Sequence, residues 1–350
     1  MDDFTDITMR DIVCKLSRHG FDAETICQNT HHYNKQTSRA PSGLAGFFLY
    51  NTTHSTMTQS DDIHRPNTAT PLRVSIQGIA GCFHDAAVRQ YFADTQRQIA
   101  MVECETFDDV VRSLNDGTAD YGAMAIENTI AGPLLPNNEL LRTNPIHIIG
   151  EHKMRISHTL AATDADSLDT IVEVRSHPMA IAQCDEYLSR HPRWKISEVF
   201  DTAGAARDLA DNRDTHIAAI CPAAAADTYR LHILADAIET NKHNYTRFLI
   251  IAPGNEAEDI PGADKASIVF ALPHTRGALS KVLTILALYD MNMTRIQSMP
   301  VIGHEWEYRF YIDLTFDDPH RCRQALEAAR PLMGDLKILG YYKDAPTPAL

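Results

Sequence analysis

No stretch of the 350-residue chain approaches the roughly 18 consecutive apolar residues of a transmembrane helix. Nothing like a basic segment followed by an apolar run stands behind Met1, so no secretory signal is visible. Paired cysteines are missing too. The seven cysteines, Cys14, Cys27, Cys82, Cys104, Cys184, Cys221 and Cys322, are odd in number, scattered and never spaced C-x-x-C, unlike a disulfide framework or a structural zinc site. Among 17 histidines there is no H-E-x-x-H, and His31-His32 sits in a polar tract where solvation is expected. No metal is therefore expected. Basic residues are in short supply, 32 Lys and Arg against 46 Asp and Glu for a net charge of −14, which argues against nucleic-acid binding. These absences lead to the expectation of a cytoplasmic protein with no membrane or nucleic-acid partner.

What is present is an ordinary globular composition, 44% hydrophobic and 22% charged, long enough for two or three domains. Residues 1–72 stand apart. A short helix fits within residues 1–27, but Gln28 to Pro71 is dominated by Asn, Thr, Ser, His and Gln, apart from Leu44–Tyr50. Such a tract buries too little apolar surface to offset ordering entropy and reads as a flexible extension, with Met57 a candidate start.

From Leu72 the texture is regular. Leu72–Gln77 alternates like a strand, Phe83–Phe92 reads as a helix, and Met101–Glu105 as a second strand. Thr106-Phe-Asp-Asp109 fits a capping box ahead of Val110, Val111 and Leu114, and Gly117 supplies a stop. Tyr121–Ile126 is a short apolar strand. Strand–helix–strand alternation predicts a parallel sheet covered by helices. After a long extended run, Ile146–Ala162, the pattern repeats with strands at Thr170–Arg175, Lys195–Phe200 and His216–Ile220, followed by helices starting near Pro178, Thr202 and Pro222. Further strands fit His232–Ile238 and Tyr245–Ala252. Two α/β lobes joined by extended crossings would enclose a cleft suited to a small ligand. A Gly/Pro/Asp-rich linker follows, and residues 266–343 then read as strand–helix–strand–strand–helix–strand, a ferredoxin-like unit.

Four polar clusters fall at strand ends or helix starts. Gln77-Gly-Ile-Ala-Gly81 lacks G-x-G-x-x-G and the P-loop lysine, so it is either a weak phosphate loop or a plain tight turn. Glu127-Asn128-Thr129 closes an apolar strand and suits either ligand contact or an Asx turn. Ser176-His177-Pro178 opens a helix, as an anion site or a simple cap. Asn244-Tyr245-Thr246-Arg247-Phe248 offers a hydroxyl beside a guanidinium able to grip a carboxylate bidentately.

Taken together and in this order, the clusters resemble prephenate dehydratase over residues 73–252, and residues 266–343 resemble the ACT regulatory domain that commonly follows it. The carrying segments are Gln77–Phe83, Gly117–Tyr121 with Ile126–Thr129, Ser176–Cys184, Asp201-Thr202, Ala218–Ile220 and Asn244–Phe248, with Gly277-Ala-Leu279 in the second part. The resemblance implies a two-lobed three-layer α/β/α catalytic domain, periplasmic-binding-protein-like, at 73–253 with its second lobe roughly at 154–230. A linker at 254–265 and a βαββαβ ACT domain at 266–344 complete it. It implies decarboxylating dehydration of prephenate to phenylpyruvate in phenylalanine biosynthesis, without a cofactor, in a homodimer or homotetramer restrained by L-phenylalanine.

Aromatisation drives that reaction, so the central requirement is a donor on the departing ring hydroxyl. By resemblance this is Thr246, with Arg247 as a second catalytic candidate that either binds substrate or braces the site. Gln77, Glu127, Asn128, Thr129, Ser176, His177, Asn244 and Phe248 are the candidate substrate contacts. Gly277, Ala278, Leu279, Gln297, Ser298 and Pro300 are the candidate effector contacts, although Gln297 and Met299 stand where the family carries Glu and Arg. Residues 1–72 are too short and polar for the chorismate mutase sometimes fused upstream, so a bifunctional enzyme is not expected. The rival readings are an arogenate dehydratase, a non-catalytic amino-acid sensor and a related decarboxylase.

Overall fold

The computed structural model describes residues 70–163, 166–254, 260–301, 303 and 307–348. The expectations for residues 1–69 lie outside these. The chain divides into two compact units, residues 1–63 and 64–350, and all that follows concerns the second.

Its first lobe begins with β1 (Leu72–Gln77), whose alternate Leu72, Val74 and Ile76 are buried as the pattern requires. Then come α1 (Phe83–Tyr91), β2 (Ile99–Cys104), α2 (Phe107–Asn115) and β3 (Tyr121–Asn128). The capping box forms: Thr106 Oγ1 accepts from the Asp109 N–H and Asp109 Oδ2 from the Thr106 N–H, both at 3.2 Å. Two elements without a clear sequence signal follow, β4 (Gly132–Pro133) and α3 (Leu135–Thr143). The chain then runs out along β5 (Ile146–Arg155).

The second lobe holds β6 (Thr159–Ala162), β7 (Glu173–Ser176), α4 (Pro178–Gln183), α5 (Asp185–Ser189) and β8 (Lys195–Glu198). It continues with α6 (Thr202–Asn212), β9 (Ile217–Cys221), α7 (Ala223–Thr228) and β10 (His232–Ala235). The chain returns to the first lobe as β11 (Tyr245–Pro253). Because β10 pairs with β6, the second lobe reaches past the expected end at 230.

The sheets are ordered β2-β1-β3-β11-β5, with β4 on β3, and β10-β6-β9-β7-β8. Neither is wholly parallel. Strands joined by helices (β1 with β2 and β3, β7 with β8 and β9) are parallel, as expected. Among the strands that carry the chain between lobes, β11 and β6 enter their sheets from the opposite end and pair antiparallel on both sides, so their outer neighbours β5 and β10 run in the same direction as the helix-linked strands. The two lobes share one apolar cluster. Val74, Ile76, Cys82 and Val88 of the first meet Ala203, Ala206, Ala219, Ala225 and Ala226 of the second.

The C-terminal part comprises β12 (Lys265–Leu272), α8 (Ala278–Leu288), β13 (Asn292–Pro300), β14 (Tyr308–Thr315), α9 (Pro319–Ala329) and β15 (Gly334–Tyr342). Its antiparallel sheet, β13-β14-β12-β15, has the ferredoxin-like order. One face is covered by its own helices. The other places Val269, Tyr311, Leu339 and Tyr342 in one cluster with Leu141, Ile146 and Ile148 of the first lobe. Strand β15 presses closest at Gly340, where an added Cβ would lie 2.2 Å from the Ile148 carbonyl oxygen. Among the described residues no helix is long and apolar enough to cross a membrane, and five cysteines are free thiols.

Two consequences can be measured. Gly340→Ala should lower stability by about 1–3 kcal/mol in thermal unfolding, because backbone rather than a movable side chain blocks the methyl group. The ring of His84 packs edge-on against Phe248 and Phe107, with Nε2 closed off from solvent and without a partner. Burial pulls its pKa from 6.5 down to about 4. Between those values the unfolded chain binds the proton and the folded chain does not, so His84 costs stability progressively as pH falls through that window. His84→Phe should flatten the pH dependence of unfolding between pH 6.5 and 4 by roughly 2–3 kcal/mol relative to wild type; parallel curves would rule this out.

Candidate active site

Two strands and two crossings build the site. On β11, Thr246 stands in register with Asn128 of β3 on one side and Met154 of β5 on the other. The Asn128 amide is fixed from its oxygen end, where Oδ1 accepts the Ile130 and Ala131 N–H groups at 2.9 and 2.8 Å. Its nitrogen therefore points at β11 and donates to Thr246 Oγ1 at 2.9 Å and Asn244 Oδ1 at 2.8 Å. The Thr246 hydroxyl is thus an acceptor from Asn128, and no described residue accepts its proton. Accepting one hydrogen bond polarises the O–H and makes it a better donor. The residue is 8% exposed, enough to place the hydroxyl at a surface and little enough to screen it from bulk water.

The same hydrogen-bond chain reaches the second lobe. Asn244 Nδ2 donates to Gln183 Oε1 at 3.0 Å, and His158 Nε2 sits 2.9 Å from the same oxygen. An oxygen already taking an N–H requires a second donor there, so Nε2 carries the proton; burial holds His158 below its ordinary pKa and keeps it neutral. The crossings are tied by Glu239, which accepts from Arg155 Nη2 at 2.8 Å, Ser157 Oγ at 3.2 Å and the His158 N–H at 2.9 Å. Burial opposes its ionisation, yet these bonds keep the carboxyl below its usual pKa. Gln183, His158 and Glu239 were not among the sequence candidates. Gln183 lies within the Ser176–Cys184 segment, but nothing in the sequence marks its contact with a strand 61 residues away.

Other candidates fall around this centre in different ways. Thr129 stitches the turn, its Oγ1 accepting from the Tyr245 N–H at 2.9 Å and donating to the His243 carbonyl at 3.0 Å. His177 caps α4 through Nδ1, 3.2 Å from the Met179 nitrogen, and is half-buried. Gln77 borders two cavities of about 680 and 510 Å³, neither of which includes Thr246. Three candidates are out of a ligand's reach in this conformation. Ser176 is 0% exposed and gives its hydroxyl to the Ile220 carbonyl at 2.6 Å. Asn244 is also 0% exposed, and Phe248 is 1% exposed beneath the site against His84.

Arg247 and Glu127 belong to the opposite face. Successive strand residues alternate, so the Arg247–Glu127 pair turns away from the Thr246–Asn128 pair beside it. The guanidinium donates to Glu151 Oε2 at 2.6 Å, Asp313 Oδ2 at 2.5 Å and the Tyr342 hydroxyl at 2.9 Å, with Glu127 Oε1 at 3.4 Å. Lys265 joins through both Glu151 oxygens, and Arg295 lies 3.4 Å from Glu127. Burial opposes charge on Asp313, but Arg247 and Arg295 hold its carboxyl below the ordinary range. These contacts tie Arg247 to β5 and to the C-terminal sheet.

The effector candidates also divide. Gly277, with φ of +73°, caps α8 and leads into Ala278 and Leu279. On β13, Ser298 and Pro300 share a face with Ile296, which pairs with Ile312 on the helix-covered side. Gln297 pairs with Tyr311 and so faces the first lobe.

Known proteins show the same organisation. A family model described as prephenate dehydratase matches residues 74–256. The bifunctional chorismate mutase/prephenate dehydratase of Escherichia coli (strain K12) is 32% identical over 274 residues, 77% of this chain and 70% of that one. Arogenate dehydratase 5, chloroplastic, of Arabidopsis thaliana is 33% identical over 313 residues, 83% of this chain and 72% of its own. Among solved structures, prephenate dehydratase from Arthrobacter aurescens in complex with L-Phe is 28% identical with a TM-score of 0.70, covering 80% of this chain and 92% of that one. With more than half of the sequence inside the family model and a relative 32% identical over 77% of the chain, the chain belongs to the prephenate dehydratase family.

Proposed function

We propose that the protein converts prephenate to phenylpyruvate, with Thr246 as the donor to the departing ring hydroxyl. The observation that carries this reading is the Thr246 hydroxyl itself, which accepts from Asn128 and has its own proton left to give. Loss of carbon dioxide supplies electrons to the ring, the C–O bond breaks, and the oxygen leaves as water once it has received a proton. A threonine hydroxyl is a weak acid, so its part is to strengthen a hydrogen bond to that oxygen as charge develops, or to relay a proton. Asn128 orients it. The C-terminal unit is proposed as an ACT domain, in which L-phenylalanine binds near Gly277–Leu279, Ser298 and Pro300 and restrains turnover. The relative solved with L-Phe supports that choice of effector. A cytoplasmic homodimer or homotetramer, formed through the C-terminal sheets, is part of the same proposal.

Arogenate differs from prephenate by an amino group in place of a keto group, and the relative from Arabidopsis, named as an arogenate dehydratase, makes it the second substrate to test. Purified wild type should release phenylpyruvate from prephenate, and Thr246→Ala should lower turnover by roughly 10²–10⁴. Asn128→Ala, which frees the hydroxyl to rotate, should lower it by about 10-fold or more with less effect on KM. Phenylalanine formed from arogenate, with none of the corresponding product from prephenate, would transfer the assignment to the second substrate. Unchanged turnover in Thr246→Ala would refute the role of the hydroxyl.

A further inference from the structure

A buried charge with four hydrogen-bonded partners is on the side of β11 that the chemistry does not use. Arg247 is 5% exposed and adjacent in sequence to Thr246. Two of its partners, Asp313 on β14 and Tyr342 on β15, belong to the C-terminal sheet, and Glu151 belongs to β5 of the first lobe. The C-terminal side of this arrangement is itself braced, since Ser267 Oγ donates to Asp313 Oδ1 at 2.5 Å and lies 2.6 Å from the Tyr342 hydroxyl. Pairing of β11 with β5 is regular through this stretch, but its pairing with β3 slips between Arg247 and Phe248, where Ile126 is the extra residue, one residue past the Thr246–Asn128 pair. Irregularities of this kind re-aim neighbouring side chains.

We propose that Arg247 is a positioning residue: gripped by Asp313 and Tyr342 of the C-terminal sheet, it fixes β11 against β3 where that pairing is irregular and so sets the aim of the Thr246 hydroxyl on the opposite face. This rests on the reading of Thr246 given above and adds a route by which docking of the C-terminal domain reaches the reacting atoms. The domain contacts the first lobe elsewhere too. Lys337 Nζ donates to the Leu141, Arg142 and Asn144 carbonyls at the end of α3, at 2.9–3.0 Å. That contact tightens the same interface without touching β11, which makes it the control.

The test is single-turnover and steady-state kinetics on prephenate and arogenate for wild type, Asp313→Asn, Tyr342→Phe and Lys337→Met. Asp313→Asn and Tyr342→Phe are also combined with Thr246→Ala, and folding is checked by circular dichroism and thermal unfolding. Asp313→Asn should lower kcat by about 10–100-fold with KM within about twofold, as a misaimed donor would. Tyr342→Phe, which keeps every charge, should lower it by a smaller factor in the same direction. In the Thr246→Ala background neither change should cost more than about twofold, because the group being aimed is gone. Lys337→Met should lower the unfolding temperature and leave kcat unchanged. Equal losses in both backgrounds, an equal loss in Lys337→Met, or a folded Asp313→Asn with wild-type kcat would each overturn the proposal. A folded wild type inactive on both substrates would instead remove the reading of Thr246, and this inference with it.

Discussion

A β-strand turns each side chain to the face opposite its neighbour's, and on β11 that constraint separates two kinds of work. Thr246 is turned to the lobes' meeting place and Arg247 to the C-terminal sheet, although the two are joined by one peptide bond. Each brings a partner from β3 by the same rule, Asn128 for the threonine and Glu127 for the arginine. The polar centre and the interdomain ion cluster are therefore two faces of the same two cross-strand pairs. Neither can shift without carrying the other's backbone.

The two faces are different electrostatically. Around Thr246 the described contacts are neutral: amides of Asn128, Asn244 and Gln183, and an imidazole that burial keeps uncharged. Neutral donors and acceptors can be ordered by their own lone pairs, and here each amide end is assigned by what it faces. Around Arg247 the groups are ionic and buried, and such a set is tolerable only when nearly every lone pair and N–H is matched. Asp313, Glu151, Lys265 and Tyr342 supply that matching. The buried cluster is balanced, Arg247 and Lys265 against Glu151 and Asp313, so the net charge of −14 rests on the remainder of the chain.

Much of this was readable beforehand. Alternation in Leu72–Gln77, the Thr106–Asp109 box and the six-element C-terminal unit all follow from local rules, and the structure contains them. The Asn244–Phe248 segment was also singled out, with Arg247's choice between binding and bracing left undecided. What the sequence withheld depends on pairing over long separations. The burial of Ser176 and Phe248 follows from which strand lies next to which. The connections from Asn244 to Gln183 and from Arg247 to Asp313 join distant elements with no shared local pattern. Helix α3 escaped because Pro136, Asn137 and Asn138 blur its periodicity, while its stability is drawn from Lys337 and Tyr311 across the interface.

The cluster shared by the two lobes is made on one side almost wholly of alanines, and Gly81 lies so near Ala225 that an added Cβ would sit 2.7 Å from its Cα. Methyl groups let backbones approach closely but bury little area apiece, about the transfer energy of one CH₂ each. The alanines of α6 and α7 thus let the backbones of the two lobes meet at close range, where the Tyr229 hydroxyl also reaches the Ala80 carbonyl at 3.0 Å, while the two crossings are tied to each other at Glu239.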